Sequence, residues 1–190
     1  MNRPATLLVL LLAGLLAGCG GGSRPTGIRP AETPADDVAE YQPRWRSHTV
    51  DSTQYRKVFL AGTIDMGRSA DWQAALVARF RDSIGGRWLF FNPRRREFHA
   101  SPAEMEYQVA WELAHLEAAD LIVMNLLGDS RSPISLLEMG LYARSGKLFV
   151  ACSPDYYRYD NVRITCRRYG VPLYDSLTAL LDDLPQQSDE

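Results

Sequence analysis

Five short apolar runs set the terms on which this chain can fold. Lys57-Val-Phe-Leu-Ala61, Trp88-Leu-Phe-Phe91, Leu121 to Leu126, Leu148 to Ala151 and Val171-Pro-Leu-Tyr174 are almost continuously apolar, and segments of helical period stand between them. Strands buried on both faces read this way, and parallel strands need long crossover connections. The alternation predicts an α/β domain in which helices cover both faces of a parallel sheet.

The helix expected over 70–84 is capped by Ser69, repeats Trp72, Leu76, Phe80 and Ile84 four apart with Val77 beside them, and ends at Gly85-Gly86. Ser101-Pro-Ala-Glu104 is a capping box with proline at the first helical position. The helix it starts runs to Ala118 and is expected to bury Met105, Val109, Leu113 and Leu116. Two more helices are expected, from Pro133 to Arg144 and from Leu177 to Leu184, the latter capped by Ser176.

Residues 1–18 have a basic start at Arg3, an apolar core from Leu7 to Leu16 and small residues before Cys19. That is a secretory signal, and its apolar run is too short to span a bilayer. The ending Leu16-Ala-Gly-Cys19 resembles the lipobox of bacterial lipoproteins, which implies a chain cut before Cys19 and lipidated on it. Glycine at position 20 implies the outer membrane, facing the periplasm. Residues 19–46, rich in Gly, Ser, Pro and Thr without apolar period, read as a flexible tether, and 47–190 as one domain.

With 21 basic against 23 acidic residues and no basic stripe interleaved with aromatics, a nucleic acid polymer is not an expected partner. His48, His99 and His115 are scattered and no cysteine cluster accompanies them, so no metal site is indicated. P-loop and GxGxxG fingerprints are missing, and no cofactor is expected. Cys152 and Cys166 are either a disulfide closing a tyrosine-rich loop or two buried thiols, at a strand end and in a following turn of helix.

In open α/β sheets ligands bind outside the carboxyl ends of the strands. Those ends present Gly62, Thr63, Asp65 and Met66; Asn92, Pro93 and Arg94; Asn125; and the loop from Ser130 to Glu138. Glu138 stands among apolar residues in Ser135-Leu-Leu-Glu138, which has capping-box spacing. Pro133 favours another frame, with Ser132 as cap and Glu138 nearly two turns in, where it has no capping role. A structural glutamate and a site glutamate both fit.

Val58-Phe-Leu-Ala-Gly-Thr-Ile-Asp65 with Trp72, Phe91-Asn-Pro-Arg94, Glu112 through Asp120, Ile134-Ser-Leu-Leu-Glu-Met-Gly140, Asn161-Val and Arg168-Tyr-Gly-Val-Pro172 together resemble the nucleoside 2-deoxyribosyltransferase-like family. The resemblance implies a flavodoxin-like three-layer αβα sandwich with a five-stranded parallel sheet. It also implies cleavage of an N-glycosidic bond by a glutamate nucleophile, matched here by Glu138. Asp65 falls where members bind sugar or base and joins Glu138 as a catalytic candidate. Gly62, Thr63, Asn92, Asn125 and Asp120 follow as substrate-binding candidates. The ligand implied is a nucleoside or nucleotide-like small molecule. Members often complete the site from a neighbouring subunit, so a homo-oligomer is among the expected states, although the tail Gln186 to Glu190 has no clear match. Before Glu138 the chain reads Ser130-Arg-Ser-Pro-Ile-Ser135, where active members commonly carry an acidic residue and a Gly-Thr stretch. The base-protonating acid is therefore not identified from the sequence. Two functions are left standing: a membrane-anchored N-glycosidase or deoxyribosyltransferase, and an anchored binding module with the same pocket.

Overall fold

A computed structural model describes residues 37–83, 86–97, 99 and 101–184, all within a compact unit that runs from Pro34 to Glu190. The signal segment, Cys19, most of the expected tether, Ile84, Gly85 and the tail lie outside the described residues. The strands are β1 (Val38–Gln42), β2 (Trp45–Arg46), β3 (Arg56–Gly62), β4 (Trp88–Phe91), β5 (Leu121–Leu126), β6 (Leu148–Cys152) and β7 (Leu173–Tyr174). The helices are α1 (Trp72–Ser83), α2 (Pro102–Ala118), α3 (Pro133–Tyr142), α4 (Tyr159–Tyr169) and α5 (Leu177–Asp183).

The sheet has seven strands in the order β2-β1-β4-β3-β5-β6-β7, and only the β1–β2 pair is antiparallel. All five expected strands are present in the flavodoxin-like order, with the chain reversing direction across the sheet between β3 and β5. The expected count of five is corrected to seven, because the stretch read as tether out to Arg46 supplies β1 and β2. Val38, Ala39 and Tyr41 are buried there, while Glu40, Gln42 and Arg46 break the apolar pattern that would have marked a strand.

Alternate residues of each strand face opposite ways, which divides the core in two. Val58, Leu60, Phe90, Val123 and Ala151 pack with Trp72, Leu76 and Phe80 of α1 and Leu180 and Leu181 of α5. Phe59, Ala61, Ile122, Met124 and Val150 pack with Leu116 of α2, Met139 of α3 and Val162 and Cys166 of α4. Cys152 and Cys166 are free and buried, and burial pushes their thiols up to about 12 and about 11 respectively.

Caps follow the sequence in part. Ser101 and Ser176 accept from the backbone N–H of Glu104 and Ala179, as expected. At α1 the cap is Asp71, whose Oδ1 accepts from Ala74 at 3.0 Å, whereas Ser69 donates to the Ile64 carbonyl. The largest departure is α2. Of its expected core stripe only Leu116 is buried; Met105, Val109 and Leu113 are 52%, 45% and 42% exposed. The side that turns inward is Gln108, Trp111, Glu112, His115 and Leu116, a stripe of correct helical period with polar members.

Candidate active site

The carboxyl ends of β3 and β5 lie side by side because Gly62 lets them. Its φ is +125°, and a Cβ there would sit 2.2 Å from the Asn125 carbonyl oxygen. Past this crossing the chain turns through Asp65, Met66 and Gly67, with φ of 49°, 54° and 81°. Left-handed backbone at non-glycine residues costs about 1–3 kcal/mol each and persists only where the surroundings impose it.

A chain of hydroxyls does so here. Thr63 Oγ1 lies 2.7 Å from Ser132 Oγ, Ser132 Oγ lies 2.8 Å from Ser130 Oγ, and Ser130 Oγ donates to Asp65 Oδ1 at 2.9 Å. Each hydroxyl has one proton, so the direction is fixed: Thr63 donates to Ser132, Ser132 to Ser130, and Ser130 to the carboxylate. Thr63 Oγ1 in turn accepts from Leu127 N–H at 3.1 Å. Ser132 is also left-handed, at φ 39°, and it is the residue before Pro133 at the head of α3. It occupies the cap position without a side-chain capping bond, so the frame set by Pro133 is the correct one and the Ser135 capping box does not form.

Glu138 follows in the second turn of α3, only 7% exposed, and forms no hydrogen bond or ion pair with any described residue. Burial, and then the negative charge of Glu112, raise its pKa to about 8. It lines a cavity of about 340 Å³ whose walls also include Gly62, Asp65, Pro93, Gln108, Glu112, Ser132 and Ser135, with apolar cover from Met105, Val109 and Ile134. Glu112 accepts from Gln108 Nε2 at 2.6 Å, and burial lifts its carboxyl above the usual range against the opposing pull of that bond and of Arg95. Three carboxyls therefore share one small, largely apolar cavity, two of them held toward the protonated form.

Of the residues expected from sequence, Gly62, Asp65 and Glu138 meet at this cavity. Thr63 is buried behind it as the start of the hydroxyl chain, and its carbonyl accepts from Trp72 Nε1. Asn125 is at the strand end, where its carbonyl accepts from Thr63 N–H. Asn92 points to the other side, donating to Glu40 Oε1 at 2.7 Å and accepting from Arg94 N–H at 3.0 Å, and is a loop-forming residue. Asp120 is corrected outright. It precedes β5, at the amino ends of the strands, where it accepts from Lys57 N–H at 2.8 Å and pairs with Lys57 Nζ. Cys19 lies outside the described residues. Glu112 and Gln108 are site residues not foreseen, although their spacing of four on one helical face was available in the sequence.

Among the described residues no three His, Cys, Asp or Glu side chains are grouped to hold a metal ion. His115 stacks on Trp111 with ring centroids 4.0 Å apart and its Nδ1 contacts the Trp111 carbonyl, so it is held by its own helix. Residues 55–156, more than half of the chain, match the family model described as nucleoside 2-deoxyribosyltransferase like, and every wall residue of the cavity falls inside that span. No curated protein matches the chain.

Proposed function

The chain belongs to the nucleoside 2-deoxyribosyltransferase-like family, and from that premise we propose that it cleaves or transfers at the N-glycosidic bond of a (deoxy)nucleoside or nucleotide, with Glu138 as nucleophile. The observation that carries this reading is Glu138 itself, a carboxyl buried on a cavity wall with no hydrogen bond or ion pair to any described residue. Buried charge-bearing groups are ordinarily paired, and an unpaired one at the strand-order reversal of an α/β sheet is a group reserved for a ligand.

In this reading a Glu138 oxygen bonds to C1′ as the C1′–N bond breaks, and the bonding pair leaves with the base, which takes up a proton. Water or a second base then displaces Glu138 and restores the carboxylate. Glu112 supplies the proton: in the reactive form the one proton the two carboxyls hold sits on Glu112 and Glu138 is ionised, while the bond that Glu112 accepts from Gln108 fixes its orientation. Asp65, accepting from Ser130, is oriented to receive a hydroxyl or base N–H of the ligand.

Binding without turnover has one observation in its favour. With a pKa of about 8, Glu138 is mostly protonated at neutral pH, a state that donates a hydrogen bond and does not attack. Incubating the full chain with a panel of 2′-deoxynucleosides, ribonucleosides and their monophosphates separates the two readings. Free base is expected from at least one. Saturable binding with no free base from any of them establishes the binding module instead.

We further propose that the protein is anchored through lipid on Cys19 at the outer membrane, facing the periplasm. None of the described helices is long and apolar enough to cross a membrane, and the anchor is read from the ending Leu16-Ala-Gly-Cys19. In a Gram-negative host the wild type is expected in the membrane fraction and labelled by palmitate, and Cys19→Ser is expected to lose both. Equal labelling of the variant would remove the lipid anchor from the account.

A further inference from the structure

The Glu138 cavity adjoins a second compartment of about 400 Å³, and the two share Ile64, Met66, Pro93, Gln108 and Glu112 as common wall. The first compartment is walled by Asp65, Glu112 and Glu138; the second by three consecutive arginines, Arg94, Arg95 and Arg96, of the loop after β4. The groove thus has largely apolar walls with carboxyls at one end and guanidinium groups at the other. A neutral nucleoside has no use for the second end.

Two of the arginines are engaged by the protein. Arg94 is buried and donates to Gln73 Oε1, Ser69 Oγ and the Ala70 carbonyl, and Arg95 donates to Gln108 Oε1, Glu104 Oε2 and the Glu104 carbonyl. These bonds make the loop rigid. Arg96 differs: it is exposed, only its Nε is bonded to a described residue, at 3.3 Å from Gln42 Oε1, and its guanidinium lies 3.7 Å from the centre of the Trp45 ring. Stacking on an indole restricts the long side chain while leaving the two terminal nitrogens as a preformed fork, the geometry that suits bidentate recognition of phosphate.

We propose that the arginine-walled compartment receives the phosphate of a nucleoside phosphate, with Arg96 as its charged donor, so that the substrate of this site is a nucleotide. The inference rests on reading the first cavity as the nucleoside pocket. Glu112 is the one acid among the described residues of the second compartment, and the burial that favours its protonated form lessens its repulsion of an anion.

Equilibrium titration of the full chain with a 2′-deoxynucleoside, its 5′-monophosphate and inorganic phosphate decides the matter. The monophosphate is expected to bind at least about tenfold tighter than the nucleoside, as charge-assisted hydrogen bonds to one fork allow, with the advantage shrinking as salt is added. Arg96→Gln, at an exposed position, is expected to reduce that advantage to about threefold or less. Equal affinity of nucleoside and monophosphate in the wild type overturns the proposal whatever the variant does. So does an advantage that survives undiminished in folded Arg96→Gln, or inorganic phosphate that binds as well as the nucleotide. Turnover is a separate matter. If the monophosphate binds with the stated advantage and is never cleaved, the N-glycosidic reading fails and the phosphate compartment stands; if nucleosides are cleaved and phosphate adds nothing, the reverse holds.

Discussion

Glu138→Gln is expected to lose base release by about 10³-fold or more while gaining stability at neutral and alkaline pH. The amide keeps the size of the side chain but has no charge with which to attack C1′. The stability gain follows from burial. A free glutamate ionises near 4.5, whereas in the folded protein Glu138 holds its proton to about 8. Below the lower value both states are protonated and the carboxyl costs nothing. As pH rises from one value to the other the unfolded chain ionises and the folded one does not, so the wild type loses stability steadily and reaches its full penalty above pH 8. Gln has no such penalty, although its own amide is then buried without a partner, at a cost of about 1–3 kcal/mol. With both counted, the variant is expected to be more stable by about 1–3 kcal/mol near pH 8 and less stable by about 1–3 kcal/mol near pH 4. Denaturant titrations at the two pH values measure this. The same ionisation governs rate: the reactive form has Glu138 ionised and the proton on Glu112, so kcat/KM is expected to fall as the pair loses that proton at an apparent value of about 8.

Gly62→Ala is expected to be the most damaging of the glycine-to-alanine changes among the described residues. The new Cβ would lie 2.2 Å from the Asn125 carbonyl oxygen, 2.7 Å from its nitrogen and 2.9 Å from its carbonyl carbon. All three are backbone atoms of a central strand paired on both sides, so relief requires separating β3 from β5 and breaking the Thr63 N–H to Asn125 bond. The φ of +125° adds a backbone conformation that alanine does not tolerate. A loss of about 4 kcal/mol or more is expected, enough to leave much of the protein unfolded at 37 °C. Gly146→Ala is the control, with positive φ but no atom within 4 Å of the added carbon, and is expected to cost only about 1 kcal/mol. Comparable losses in the two variants would show that the β3–β5 approach does not govern the fold.

What could be read in advance divides along physical lines. The five short apolar strands and their parallel pairing were legible because a strand buried on both faces has few polar positions to obscure it. β1 and β2 were not, since the outermost pair on that side of the sheet carries Glu40, Gln42 and Arg46 and looks like linker. Asp120 was misplaced although the means to exclude it were present. It precedes its strand, and in a parallel sheet that is the end opposite the ligand crevice. The exposure of Met105, Val109 and Leu113 has the same origin as the overlooked Glu112. Where a helix lines a site its inward stripe includes polar residues, so a search for apolar period finds Met105 and Val109, which cover the cavity, and passes over Gln108 and Glu112. Glu138 was legible as an anomaly, a carboxyl past the first turn of an apolar helix. Its pKa was not, because that depends on cover from α2, a helix distant in sequence.

The claim that Glu138 is the nucleophile is tested most directly by acid-quenching the protein during turnover and mapping its peptides by mass. The account predicts a pentose ester on the peptide that carries Glu138, present in the wild type with substrate, missing without substrate and missing in Glu138→Gln. Base release at near-wild-type rate by Glu138→Gln, or turnover by the wild type with the sugar found on another residue, would contradict it.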